Sequence, residues 1–293
     1  MSSVCGIAGL YSPTGTPNPE LVDAMRAAIV HRGPDEGSTD VFGRCVLGHQ
    51  RLRVLDLESG YQPVTNEARD VVCIFNGELY NFASLREELA GHDVRGTGDT
   101  PVLPHLYEED GPELVRRLRG MFALALWDER RGRLVLARDR LGKKPLVWTR
   151  LPDGTLAFAS ELKALLRLPD VRRDVDLRAI DEYLALQYVP GDRTGLAGIH
   201  RLLPGHMLVA EGDGQWISRY WEPKPQVVDG VLSGMHPPGT SHFALLGAFA
   251  DSALLQRSLA HAEDSGYLEH EFGDTCLVLP RRSEITKTIA TAI

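Results

Sequence analysis

The 293-residue sequence predicts an α+β fold. Many short runs of β-branched, aromatic and aliphatic residues read as strands, and turn residues separate many of them. Helical segments interrupt these runs without a regular βαβ alternation, which argues against a doubly wound sheet. The composition is 43% hydrophobic and 25% charged, with 29 Gly and 18 Pro, and this is the balance of a turn-rich globular protein. The length is enough for two ordinary domains.

In order, Cys5–Tyr11 reads as a first strand. Asn18, Pro19 and Glu20 then give an N-cap and a first-turn proline, and Leu21, Met25, Ala28 and Ile29 recur at helical spacing up to about His31. Further strands are expected over Cys45–Gln50, Val71–Asn76, Met121–Trp127 and Leu134–Ala137. The last two form a hairpin through a charged, solvated tip, Asp128–Arg133. Helices are expected over Phe82–Ala90 behind an Asn81 cap, over Pro112–Arg119, Ser160–Leu166 and Asp176–Leu186. Beyond about Tyr220 the character changes. Pro223, Pro225, Pro237 and Pro238, with Gly230, Gly234 and Gly239, mark a linker or irregular loop. A helix from Ser241 to about Ala262 follows, with Phe243, Leu246, Ala250 and Leu254 on its apolar face.

Forty acidic residues against 32 basic ones give a net charge of −8, which repels phosphate backbones and anionic lipid, so nucleic acid and membranes are not expected partners. Cys5, Cys45, Cys73 and Cys276 are too scattered for a disulfide framework, and a reducing, cytoplasmic location is expected. No apolar run approaches the ~20 residues of a membrane-spanning helix.

Cys5 opens the run Cys5-Gly6-Ile7-Ala8-Gly9, whose glycines would let a substrate approach the backbone. Alone, such a cysteine reads better as a buried core residue. Its company decides. Cys5–Gly9, His31-Arg32-Gly33-Pro34-Asp35, Phe75-Asn76-Gly77-Glu78-Leu79-Tyr80-Asn81, Asp139-Arg140-Leu141-Gly142-Lys143-Lys144-Pro145-Leu146 and Phe158-Ala159-Ser160-Glu161-Leu162-Lys163 stand in one order along the chain. Together they resemble the glutaminase half of glutamine-dependent asparagine synthetases, from Cys5 to about Trp221. Tyr188-Val189-Pro190-Gly191 and Gly198-Ile199-His200 resemble that branch rather than its relatives in sugar-phosphate or purine synthesis.

The resemblance implies an N-terminal-nucleophile sandwich, four layers in the order αββα around two antiparallel sheets. It implies a glutaminase domain over residues 5–222, and a tail over 223–293 without the ATP-pyrophosphatase signature. In the family, the catalytic cysteine's own α-amine is the base, and such an amine titrates near about 7.7–8.0. Carried over by motif, Cys5 is the nucleophile, while the Asn76 side-chain amide and the Gly77 N–H stabilise the oxyanion. Arg51 binds the substrate α-carboxylate, Asp99 the α-ammonium, and Glu78 with the backbone at Leu52 and Val54 completes that end. Singly, each has a plainer reading: Asn76-Gly77 as a hairpin turn, Asp99 as the cap of a helix containing Pro101, Arg51 as a surface charge.

No histidine pair has zinc-ligand spacing, so no metal is expected, and His31, His49 and His105 read as structural hydrogen-bonding groups. Lys143 and Lys144 read as structural or solvated, forming a local basic patch with Arg138 and Arg140. The implied partners are L-glutamine, a separate synthetase subunit and a second copy in a homodimer. The implied cofactors are none for glutamine hydrolysis, with ATP and Mg only if a synthetase domain is supplied elsewhere.

Two departures from the family pattern stand out. Met1-Ser2-Ser3-Val4 precede Cys5, so the expectation is a short propeptide that is removed, a true start elsewhere, or an inactive chain that binds or senses glutamine through a blocked site. The Ser-Gly-Gly-x-Asp-Ser phosphate loop is missing from these residues, and 223–293 are too few for such a domain. A truncated remnant, a frame-altered one and a docking element for a synthetase subunit all remain open for the tail.

Overall fold

The structure is a computed structural model, and it describes residues 5–53, 60–223, 231–234, 252–264 and 275–278. The chain divides into two compact units, Met1–Glu222 and Pro223–Ile293.

The first unit is built on two six-stranded sheets. One sheet contains β1 (Gly6–Tyr11), β2 (Glu36–Phe42), β3 (Cys45–Arg51), β8 (Val147–Arg150), β9 (Leu156–Ala159) and β10 (Ile199–Arg201), in the order β10-β8-β9-β1-β3-β2. The other contains β4 (Val64–Thr65), β5 (Val71–Leu79), β6 (Gly120–Asp128), β7 (Arg133–Arg138), β11 (His206–Glu211) and β12 (Gly214–Arg219), in the order β12-β11-β7-β6-β5-β4. Every pairing within them is antiparallel.

Side-chain alternation along the strands separates three apolar layers. Ile7 and Tyr11 of β1 meet Val72 and Ile74 of β5 and Ala123, Ala125 and Trp127 of β6 between the sheets. The opposite faces turn outward. Ala8 and Leu10 pack on Val22, Met25 and Ile29 of helix α1 (Pro19–Ala27) and its extension, and on Ala164 and Leu165 of α4 (Leu162–Leu165). Val71, Cys73 and Phe75, with Leu124 and Leu126, pack on Leu85 of α2 (Phe82–Glu88) and on Val102, Leu103 and Leu106 of α3 (Val102–Asp110). Strands buried on both faces are why so many of them read as continuous apolar runs, and the result is the αββα sandwich.

The expected helix boundaries hold in part. Asn18 caps α1, its Oδ1 accepting the Glu20 N–H at 2.9 Å, and Asp176 caps α5 (Leu177–Leu186) in the same way. Asn81 does not cap α2. Its amide instead donates to Arg117 O and accepts from Arg119 N, bridging to the segment before β6. Residues Gly111–Arg116 wind as a 3-10 helix rather than an α-helix. The hairpin tip is less solvated than expected, because Asp128 is buried and accepts from the Tyr107 hydroxyl at 3.0 Å.

In the second unit, Val231–Gly234 pairs antiparallel with Thr275–Val278, so part of the expected irregular loop is a strand. A helix spans Ser252–Asp264; the expected start at Ser241, and residues 241–251 with Phe243, Leu246 and Ala250, lie outside the described residues. Within it Leu255 and Leu259 are buried, whereas Leu254 is half exposed. Among the described residues, no helix is long and apolar enough to cross a membrane.

Candidate functional site

Parity along the strands brings the site residues together. Cys5 stands one residue before β1 and in phase with Ile7 and Tyr11, and Asn76 lies on β5 in phase with Val72 and Ile74, so both side chains belong to the inter-sheet face. At the end of that layer is a cavity of about 240 Å³ lined by Cys5, Arg51, Leu52, Asn76, Gly77 and Glu78, with Asp99 and Lys144 also on its wall. At about 30 Å³ per water this is room for a small molecule, not a polymer. Seven of the eight site residues expected from sequence therefore share one cavity; the eighth, Val54, lies outside the described residues.

The thiol is held by backbone. Leu52 N–H points at Cys5 Sγ at 3.4 Å, and Arg32 Nε donates to the Cys5 carbonyl at 3.1 Å. Burial pushes the Cys5 thiol up, opposed by the Leu52 N–H and by the positive charges of Arg51 and Lys144. A thiol kept protonated by burial needs a base to become a nucleophile.

Asn76 is only 1% exposed, and among the described residues neither atom of its side-chain amide has a hydrogen-bond partner. An orphaned buried amide costs about 1–3 kcal/mol, so the fold carries it at a loss unless a ligand completes it. Gly77 sits beside it. On β5, Tyr80 N–H bonds Arg119 O across the β6 side, so the alternation turns the N–H groups of Phe75, Gly77 and Leu79 the other way. The Phe75 N–H is taken by the Gln62 side chain at 2.6 Å and the Leu79 N–H by Asp99 Oδ2 at 2.8 Å. The Gly77 N–H lies between them on the same strand edge, which borders the cavity.

Glycine at 77 is explained by the partner strand rather than by substrate approach. A Cβ there would stand 2.2 Å from Met121 O and 2.7 Å from Phe122 Cα. The glycines after Cys5 likewise serve packing: a Cβ at Gly9 would meet the Phe158 ring at 2.4 Å, and one at Gly6 would meet Ile29 at 2.9 Å. Neither the turn reading of Asn76-Gly77 nor the cap reading of Asp99 describes the fold. The pair lies inside β5, and no side chain caps α3.

Charges sit at the walls. Arg51 is buried, bonds Glu36 Oε2 at 2.8 Å and lies 5.5 Å from the Tyr61 ring centre. Lys144 was expected to be structural or solvated; it is buried and lines the cavity. Burial, with the Arg32 charge, lowers its pKa, and Cys5, Asp139 and Glu78 oppose that. The loop bearing it is wound around Asp139, whose carboxylate accepts from the backbone N–H groups of Phe122, Leu141, Lys143 and Lys144. Arg138 is half-buried and donates to the carbonyls of Gly142, Lys144 and Leu202.

Sequence reasoning quoted Arg32, Ser160 and Glu161 as motif letters without giving them work. Glu161 Oε1 joins Arg32 at 2.8 Å and His31 at 3.0 Å, and Ser160 exchanges hydrogen bonds with the Ile7 backbone, so these motifs clamp the strand that starts at Cys5. Gln62 carried no sequence signal.

The family profile described as a glutamine amidotransferase domain matches residues 4–221. The chain belongs to that family. A second profile, described as a queuosine biosynthesis protein, matches residues 201–278 and overlaps the first across β11 and β12. Asparagine synthetase [glutamine-hydrolyzing] 3 of Bacillus subtilis is 39% identical over 225 residues, 74% of this chain and 36% of that protein. A putative asparagine synthetase [glutamine-hydrolyzing] of Mycobacterium bovis is 38% identical over 245 residues, 75% of this chain and 37% of that protein. The chain thus spans little more than a third of the length of these relatives. Among solved structures, glutamine phosphoribosylpyrophosphate amidotransferase of Bacillus subtilis superposes with a TM-score of 0.53 at 18% identity, covering 75% of this chain and 50% of that one. The amidotransferase domain described above therefore shares its fold with that enzyme.

Proposed function

We propose that this chain hydrolyses L-glutamine to L-glutamate and ammonia, with Cys5 as the nucleophile. The observation that supports this best is the orphaned Asn76 amide, buried in the cavity that also holds the Cys5 thiol. The α-amine of Cys5, once free, takes the thiol proton, and Sγ attacks the side-chain carbonyl carbon of glutamine. The C=O electron pair moves to oxygen, where the Asn76 amide and the Gly77 N–H receive it. Collapse breaks the C–N bond, and the proton held by the amine leaves with ammonia. Water then attacks the thioester by the reverse proton path, releasing glutamate and restoring the thiol. Arg51 takes the α-carboxylate of glutamine, Asp99 the α-ammonium, with Glu78, Leu52 and Val54 at the same end.

The amine is basic only when no residue precedes Cys5, so the active species is one from which residues 1–4 have been removed. We further propose that the ammonia feeds an asparagine-forming ligase reaction. ATP and Mg would enter only through a synthetase domain in a separate subunit or in further sequence. A homodimer is the assembly the resemblance implies. Cys45 and Cys73, free thiols in the core, support work in a reducing, cytoplasmic setting. The test is ammonia release from glutamine by the purified protein and by Cys5→Ala. Release that disappears with the thiol supports the reading; equal release from both proteins, or none from a wild type whose mass shows Cys5 first, refutes it.

A further inference from the structure

On the outer face of the second sheet, four side chains from three segments of the chain converge. Glu67 comes from the loop before β5, His92 from the loop after α2, and His105 and Glu108 from successive turns of α3. One ligand atom from each lies within 4.8 Å of all the others. We propose that this cluster binds one divalent transition-metal ion of zinc's size, a structural site joining three segments of the sandwich.

The geometry of His105 carries the argument. Its side chain is 2% exposed, and among the described residues its Nδ1 makes no hydrogen bond, although Glu67 Oε2 and Glu108 Oε2 stand 3.2 and 3.4 Å away. A buried imidazole nitrogen beside two carboxylate oxygens, with hydrogen-bond geometry to neither, is a position that an ion shared by all three would satisfy. His92 Nδ1 stands 3.6 Å from Glu108 Oε2. Bonds of about 2.0–2.2 Å to a tetrahedral zinc would set neighbouring ligand atoms about 3.3–3.6 Å apart, and the separations here are 3.2, 3.4 and 3.6 Å.

The outer contacts fit the same reading. Glu109 Oε1 lies 2.9 Å from His92 Nε2, and a proton on that nitrogen would leave Nδ1 its lone pair for the metal. Asn66 Nδ2 donates to Glu108 Oε1 at 2.9 Å, and the Asp93 N–H donates to Glu67 Oε1 at 2.7 Å, leaving the other oxygen of each carboxylate to face the centre. Two imidazoles and two carboxylates form a nitrogen and oxygen set suited to zinc, cobalt or nickel rather than to magnesium or copper(I). The spacing of the histidines in sequence carries no zinc signature, because the ligands come from separate segments that only the fold assembles.

The test uses the full chain stripped with a chelator and titrated with Zn²⁺ and with Co²⁺, beside His92→Ala, Glu108→Gln and Glu109→Gln. Of the four ligands only His105 is buried, so variants at the partly exposed His92 and Glu108 are expected to fold. A Cys5→Ser background removes the cavity thiol as a competing ligand. The expected result is one equivalent of Zn²⁺, the intense visible absorption of four-coordinate Co²⁺, and a melting temperature that rises with Zn²⁺. His92→Ala and Glu108→Gln lose the cobalt spectrum and the thermal shift, and Glu109→Gln binds about 10–100-fold more weakly. No stoichiometric binding, or wild-type affinity and spectrum in both His92→Ala and Glu108→Gln, overturns the proposal. The outcome is independent of the role of Cys5.

Discussion

Replacing Asn76 by leucine, its γ-branched shape analogue, separates a functional amide from a structural one. Both polar atoms of Asn76 are buried without a partner among the described residues, so the folded protein bears about 1–3 kcal/mol of desolvation that leucine removes. Against this stands the tighter packing of an added methyl volume in a site 1% exposed, of similar size. The net effect is a melting temperature unchanged or raised, at about 2–4 °C per kcal/mol for a unit of this length. Turnover behaves oppositely. If the amide receives the oxyanion, its loss lowers kcat about 10²–10³-fold, with a small change in KM. Calorimetry and a coupled ammonia assay on the same preparation read both numbers. Undiminished kcat refutes the oxyanion role. A melting temperature lowered by 10 °C or so, roughly the value of about 3 kcal/mol of lost structure, refutes the claim that the amide is unpartnered.

Arg51→Ala is expected to raise the glutamine KM about 10–100-fold with a smaller effect on kcat, since a charge-assisted contact of about 1.5–3 kcal/mol is made in ground and transition states alike; steady-state kinetics check it. Gly77→Ala is expected to destabilise the domain by more than about 3 kcal/mol, read by denaturant unfolding, because the new Cβ would meet backbone on β6 2.2 Å away. Glu161 gives a pH dependence. Burial alone would raise its carboxyl, but hydrogen bonds from Arg32, Lys163 and His31 outweigh that and bring it down to about 2. A lowered folded pKa adds stability that is complete above the unfolded value near about 4.3 and is lost as pH falls toward 2. Partial exposure limits this to about 1–2 kcal/mol. Acid unfolding of Glu161→Gln should accordingly show a shallower loss between pH 4.5 and 2 than the wild type.

The strands of the sandwich were readable because burial on both faces writes them as apolar runs, as in Leu134–Ala137 and Phe122–Trp127. Helix ends were less readable. Asn81 looks like a cap, yet its amide is claimed by Arg117 and Arg119, residues that only the tertiary fold brings near. The cavity was legible through motif order, and Cys5, Arg51, Asn76 and Asp99 do line one wall system. What motif order could not convey is how each motif works. Lys144 looks like one of several surface cations until Asp139 folds its loop inward, and Gly77 looks like a turn until the β6 backbone is seen beside it. The cluster of Glu67, His92, His105 and Glu108 lacks any local pattern, for its members come from three segments.

The most direct test of the central claim is the intact mass of the species that turns over glutamine. The free-amine mechanism requires that purified fractions be active in proportion to their content of chains beginning at Cys5, and that chains still bearing Met1–Val4 or Ser2–Val4 release no ammonia. A preparation whose only mass retains those leading residues, yet which hydrolyses glutamine at the rate of the Cys5-first form, would contradict it.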